Sequence, residues 1–386
     1  MKWNKKGHQF DEFQKIWNNQ NDYYIWGAAV AGKDFYNKFE NIINIKGFID
    51  SDIKKQDTII NGCRVYSFED IKNLKKEDFK IIVATSAYEE IYNELILNGL
   101  IENKDFCNHK TFTSVFFMYN YKKLYMNRAD ISITSKCTLN CERCNMLMPY
   151  FKNPKHKSMD KIKEDIDAYF KLVDNLWVLN ILGGEPFLYP NLSELIQYIG
   201  ENYKNKIENI KFFSNGTCIL SNEVLESCKR YNIVIEISDY SATLPYIKSK
   251  IDKFTEQLDR NNIKYTRNST KEWFDFGYPK SNNSSLSDEE MIKFFHKCNA
   301  PYRGINDKKL YFCHLNTSAV EAGLFDDNKN DFFDLSQCNY DKKVELMEFD
   351  LGFNNKGFIT FCRKCNGCSL DNKNYVEVAK QVNEKI

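Results

Sequence analysis

Three cysteines fall within eight residues, Cys137-Thr-Leu-Asn-Cys141-Glu-Arg-Cys144, directly after a strand-like run at Asp130–Ser135. Such a loop has to be held by a rigid scaffold if its thiols are to serve one inorganic group. Six more of the 13 cysteines lie between Cys298 and Cys368, which leaves Cys63, Cys107, Cys218 and Cys228 scattered. Scattered thiols read as small buried side chains. Clustered ones in a reducing compartment read as metal ligands rather than disulfides. A structural zinc site takes four ligands, and no fourth Cys or His lies near Cys144. A four-iron cubane on three thiolates keeps one iron open to a small molecule. The alternative is a zinc knuckle with a distant fourth ligand.

The scaffold is legible as two runs of alternating strands and helices. In the first, strands at 23–28, 45–50, 64–67 and 79–86 alternate with helices at 33–42, 71–74 and 89–98. This predicts a small doubly wound α/β unit over residues 1–112, followed by a Phe- and Tyr-rich connector at 113–128. In the second, strands at 130–135, 176–182, 210–214, 233–238 and 263–267 alternate with helices at 161–174, 192–202, 221–231 and 244–261. Repeated βα units predict a partial parallel barrel over 129–295, with its site at the strand C-termini. Residues 296–386 turn to short strands, turns and cysteines. The fold class is α/β.

Basic and acidic residues nearly cancel, 54 against 53, so charge makes no case for nucleic acid or a membrane surface. No apolar run approaches the ~20 residues that span a bilayer. Met1–His8 leads into no apolar signal core, so the expected compartment is the cytoplasm.

The first cysteine loop, with its Cys-x3-Cys-x2-Cys spacing after the first barrel strand, resembles the radical S-adenosylmethionine (SAM) superfamily. The resemblance implies a [4Fe–4S] cluster on Cys137, Cys141 and Cys144 whose open iron chelates SAM, yielding a 5′-deoxyadenosyl radical that takes hydrogen from substrate. Arg143 stands where the family usually has an aromatic residue. Leu182-Gly183-Gly184-Glu185-Pro186-Phe187 follows the second strand, where the family has Gly-Gly-Glu. Glycines admit close backbone approach, and an acid can accept hydrogen bonds from an ammonium group. By the same resemblance Ser214, Asn215 and Ser238, at the ends of the third and fourth strands, touch SAM. An ordinary turn role is open for each of them.

Cys298, Cys313 and the run Cys362-Arg-Lys-Cys365-Asn-Gly-Cys368 resemble the twitch and SPASM domains that follow some radical SAM barrels. This implies one auxiliary [4Fe–4S] cluster on Cys298, Cys313, Cys362 and Cys365, with Cys368 able to replace one of the last pair. A four-Cys zinc ribbon is the alternative. In the first unit, Gly27-x-Ala29-x-x-Gly32 after a strand and Asp50 ending the next approximate half of a dinucleotide fold. The unit resembles the small N-terminal domains of bacterial surface-sugar enzymes, some of which bind a nucleotide-linked sugar. A docking role with an empty site stands beside that reading.

The resemblance implies dehydrogenation of an alcohol carbon on a sugar, cyclitol or nucleotide-linked sugar, as in twitch-bearing dehydrogenases. Epimerisation, with Cys338 returning a hydrogen atom, and peptide maturation are the alternatives. From another class, the alternative is a non-catalytic iron–sulfur carrier or zinc scaffold. Asp239, Tyr240, His314, His296 and Lys271 are the candidates for a catalytic base. The partners implied are a small-molecule substrate and a reductant such as flavodoxin or ferredoxin.

Overall fold

A computed structural model describes residues 1–75, 79–299 and 302–382. Residues 300, 301 and 383–386 of the expected C-terminal domain lie outside the described residues. The chain divides into two compact units, His8–Lys123 and Met1–Gly7 with Leu124–Ile386.

The smaller unit is built on β1 (Asp22–Trp26), β2 (Asn44–Ile49), β3 (Ile59–Ile60), β4 (Cys63–Tyr66), β5 (Lys80–Val83) and β6 (Phe106–Asn108). Their order in the sheet is β3-β4-β2-β1-β5-β6, parallel except for the β3–β4 hairpin. Parallel strands buried on both faces read as continuous apolar runs, and Lys80–Val83 is buried throughout. The aromatic run expected as a connector is instead helical from His109 to Tyr121. The Asn108 side chain caps it by accepting from Lys110 N, and Phe112, Val115, Phe116 and Met118 bury one stripe. Helical spacing of the aromatics, not their density, was the signal there.

The larger unit carries β7 (Tyr125–Ser132), β8 (Asn175–Leu182), β9 (Ile207–Ser214), β10 (Val234–Ser238), β11 (Tyr265–Asn268), β12 (Glu272–Phe274), β13 (Gly304–Asn306), β14 (Lys309–Tyr311), β15 (Phe332–Asp334) and β16 (Tyr375–Glu377). Five successive parallel strands, β7 to β11, form an incomplete barrel wall. Two of its helices, Met159–Leu172 and Asn222–Arg230, begin at side-chain caps. Ser158 accepts from Lys161 N, and Ser221 accepts from Val224 N.

The cysteine-rich C-terminal region was expected as a separate domain. Instead β13 pairs in parallel with β7 on the barrel's open edge, Gly304 opposite Asp130, and β14 and β15 continue the same sheet. The β13–β14 hairpin turns through Asp307 and Lys308, both at positive φ, as a two-residue turn of matching twist requires. β12 and β16 form a separate antiparallel ribbon. Among the described residues, no helix is long and apolar enough to cross a membrane.

Candidate cluster and cofactor site

Beyond Ser132 the chain no longer pairs as a regular strand, yet it stays bonded to the end of β8. Gly184 N donates to Thr134 O at 2.8 Å and Glu185 N to Lys136 O at 2.8 Å. The close approach is what demands glycine. A Cβ on Gly183 would lie 2.4 Å from Thr134 O, and one on Gly184 would lie 2.2 Å from Lys136 O and 2.9 Å from Cys137 Cβ. The Gly-Gly-Glu segment is therefore the floor on which the cysteine loop rests.

Glu185 is fully buried. Its Oε1 accepts from Ser214 Oγ at 2.9 Å and Phe187 N at 3.2 Å, and its Oε2 from Asn215 N at 2.9 Å. Burial raises its pKa to about 7 against the lowering effect of these donors. The carboxylate expected to face an ammonium group is thus engaged in tying β8 to β9, with at most one lone pair left. Asn215 continues the connection: its Nδ2 donates to Thr138 Oγ1 at 2.9 Å and lies 3.7 Å from Cys137 Sγ.

The three thiols are free, and Cys141 is buried. Burial raises all three, Cys141 to about 12, and the charges of neighbouring thiolates raise Cys137 and Cys141 further. Arg143, beside them, faces Asp275 at 3.8 Å instead. Thiols that repel one another as thiolates in a buried loop suit a cationic metal centre as counter-charge. Among the described residues, no three His, Cys, Asp or Glu side chains are drawn tightly enough together to hold a single metal ion. What the loop offers is three thiols, the donor set an open cubane takes.

A segment no motif pointed to also holds this loop. Asn140 and Val382 exchange hydrogen bonds, Val382 N to Asn140 O at 2.8 Å and Asn140 Nδ2 to Val382 O at 3.0 Å. Glu142 N donates to Lys380 O at 2.7 Å, and Gln381 Nε2 to Cys141 Sγ at 3.3 Å.

Five members of the second cysteine group share one pocket. Cys298, Cys313, Cys362, Cys365 and Cys368 all line one pocket with walls of phenylalanine. Cys362 and Cys365 are buried, and Asn283 Nδ2 donates to both of their carbonyls. Cys338 stands apart. It is exposed and its thiol donates to Lys171 O at 3.1 Å, just before the start of β8. That is the opposite end of the strands from Cys137, so the expectation that Cys338 returns a hydrogen atom to substrate is corrected. Sequence spacing alone could not tell which end of the barrel it would reach.

The other candidates divide. Asp239 is bound by Arg267 Nε at 2.7 Å and Ser241 N at 2.8 Å, and although burial opposes it these partners hold its carboxyl below the usual range. It is therefore corrected from a free base to half of an ion pair. Burial raises the hydroxyl pKa of Tyr240, which is hydrogen-bonded with Ser238 and packs edge-on against Trp273. His314 is buried beside Cys313, its Nδ1 unpartnered and its ring 4.3 Å from that of Tyr302. His296 and Lys271 are exposed. The barrel wall also carries polar residues that sequence reading passed over. Asp130 is buried, accepting from Arg128 Nε at 2.9 Å and Asn180 Nδ2 at 2.6 Å, with Oδ2 unpartnered. Alternation of polar residues along Asp130–Ser135 was the available signal.

In the smaller unit, the glycines face the chain itself. A Cβ on Gly27 would lie 2.4 Å from Ala84 O, and one on Gly32 would lie 1.8 Å from Gly27 O. Asp50 accepts from Ala28 N at 2.9 Å, Asp52 N at 2.9 Å and Lys55 Nζ at 3.0 Å. Its expected role on a ribose is corrected to that of a carboxylate closing the glycine turn. The turn still sits where β1 meets β5, at the topological switch point where doubly wound sheets take ligands.

Residues 131–266 match the Radical SAM superfamily. A 116-residue stretch is 28% identical to the antilisterial bacteriocin subtilosin biosynthesis protein AlbA of Bacillus subtilis (strain 168), covering 28% of this chain and 23% of that protein. The chain thus spans about a quarter of the length of that relative. Among solved structures, BtrN in complex with AdoMet and 2-DOIA aligns at 13% identity and a TM-score of 0.39, over 68% of this chain and 98% of that one. The anSMEcpe structure with bound AdoMet and Kp18Cys peptide aligns at 14% and 0.39, over 63% and 89%.

Proposed function

We propose that this chain, whose residues 131–266 match the Radical SAM superfamily, holds a [4Fe–4S] cluster on Cys137, Cys141 and Cys144 and dehydrogenates an alcohol carbon of a sugar, cyclitol or nucleotide-linked sugar. The observation that carries the reading is the bonding of Gly183–Glu185 beneath the cysteine loop, which brings backbone and a thiol-bearing loop to one place at the strand C-termini. When bound, the reduced cluster and SAM supply a 5′-deoxyadenosyl radical that removes a hydrogen atom from substrate carbon, and a second cluster supplies an acceptor for the remaining electron.

The chain's own residues position and enclose. Gly183 and Gly184 let the cysteine loop lie against the end of β8, Asn215 reaches Thr138 and Cys137 of that loop, and Ser238, at the end of β10, is a further proposed SAM contact. Ser214 and Glu185 keep the β8 and β9 ends in register. Tyr240 closes the side of the cysteine loop. Cys298, Cys313, Cys362 and Cys365 hold the auxiliary [4Fe–4S] cluster, and Cys368, in the same pocket, is the alternative fourth ligand. Flavodoxin or ferredoxin delivers the reducing electron, and the His8–Lys123 unit takes the nucleotide part of the substrate at its switch point.

A peptide substrate is the second reading, favoured by the likeness of 116 residues to a bacteriocin biosynthesis protein. Anaerobic incubation with reductant, SAM and either nucleotide sugars or cysteine-rich peptides in deuterated water, followed by mass spectrometry, separates the cases. Dehydrogenation gives a product two mass units lighter than substrate. Epimerisation gives substrate mass plus one. A protein that binds stoichiometric zinc and cleaves no SAM would return the chain to the scaffold reading.

A further inference from the structure

The central residues of the cysteine loop, 140–142, have their hydrogen-bonding groups met by residues 380–382, some 240 positions away in the chain. The strap is antiparallel. Asn140 and Val382 exchange bonds at one end, and at the other Glu142 N meets Lys380 O at 2.7 Å while the two side chains pair at 2.9 Å. Its approach is fixed upstream by the pairing of Tyr375–Glu377 with Glu272–Phe274 and by a left-handed turn at Ala379, φ +56°.

Between the two ends sits Gln381, whose amide is engaged through both its oxygen and its nitrogen. Its Oε1 accepts from Asn140 N at 2.7 Å, and its Nε2 donates to Ala379 O at 2.6 Å and to Cys141 Sγ at 3.3 Å. These partners set the orientation of the amide, since the opposite one would put a donor against the Asn140 N–H. Cys141 is buried. Its sulfur therefore receives an N–H that no residue of the loop itself provides.

We infer that Gln381 is a positioning residue for the core cluster, holding Cys141 and tuning the cluster's reduction potential through the hydrogen bond to its sulfur. The inference rests on the reading that Cys137, Cys141 and Cys144 ligate that cluster. A cluster thiolate carries more negative charge when the cluster is reduced, so an N–H aimed at it favours the reduced form and raises the potential. Such a donor, supplied by a different part of the chain, makes the ease of reducing the cluster depend on whether the strap is seated.

The test uses the anaerobically purified full chain, with Gln381→Met and Gln381→Glu compared with the parent by iron and sulfide analysis and by redox titration followed with electron paramagnetic resonance. The expected result is unchanged iron with a core-cluster midpoint moved to more negative potential in both variants, further in Gln381→Glu, while the auxiliary-cluster midpoint stays in place. If Gln381→Met sheds the core cluster, Gln381→Glu still presents an acceptor to Asn140 N and reports the potential. Full core iron with an unmoved midpoint in these variants overturns the role of Gln381. A parent protein with no iron on the first loop overturns the cluster reading itself, and the two failures are distinct.

Discussion

The Glu185 carboxylate accepts a hydrogen bond from the Ser214 hydroxyl at 2.9 Å, with neither side chain open to solvent. This joins the C-terminal ends of two adjacent strands under the cysteine loop. An acid in a Gly-Gly-Glu motif is thereby a structural tie before any ligand arrives.

Glu185→Ala is accordingly expected to lower stability as well as SAM affinity. It leaves Ser214 Oγ and Asn215 N, both buried, and the half-buried Phe187 N without their acceptor, and a buried orphan costs about 1–3 kcal/mol. Thermal melts of the apo protein beside SAM calorimetry check this. An unchanged melt with weakened SAM binding would show a carboxylate that serves the ligand instead.

Replacing Cys137, Cys141 and Cys144 together by Ala is expected to remove about half of roughly eight irons per chain and abolish SAM cleavage, if both cubanes form. Replacing Cys298 and Cys313 by Ala is expected to stop product formation while some 5′-deoxyadenosine release continues. Iron assay and chromatography of the cleavage products read both.

Cys338→Ser is expected to leave iron content and turnover unchanged, because the thiol lies against Lys171 at the far end of the barrel strands. Loss of turnover in this variant, with deuterium from solvent in the parent's product, would restore the epimerase.

Gly32→Ala is expected to destabilise the smaller unit by on the order of 2 kcal/mol, the usual scale of an overpacked site. The added methyl would have to displace the Gly27 carbonyl, 1.8 Å from it, at the turn between β1 and its helix. Hydrogen exchange by mass spectrometry would find faster exchange in peptides from His8–Lys123.

The smaller unit is also expected to weaken in acid. Burial, with Lys110 and Lys38 nearby, lowers His109 to about 3 from its ordinary value near 6.5. The unfolded chain then binds a proton that the folded unit refuses. This contribution to stability is complete above about pH 6.5 and is lost as pH falls toward 3, at up to about 1.4 kcal/mol per pH unit. His109→Gln should flatten the dependence, measured as hydrogen exchange in the same peptides between pH 7 and 5. Equal slopes in parent and variant would refute it.

Cys137, Cys141, Cys144 and the glycine pair stood out in the sequence because a motif of this kind is a matter of local spacing. The strands of the barrel were legible too, since burial on both faces leaves apolar runs, as at Leu176–Leu182. Neighbours through space were not legible, because apolar periodicity says which face is covered and not by what. Only the tertiary structure decided that Asp50 would close its own glycine turn and that Asp239 would pair with Arg267. It also brought five thiols to one pocket, left Cys338 at the far end and laid Gln381 against Cys141. Each of those outcomes is a choice of hydrogen-bond or packing partner, and a buried polar group takes whichever partner the folded backbone brings within reach.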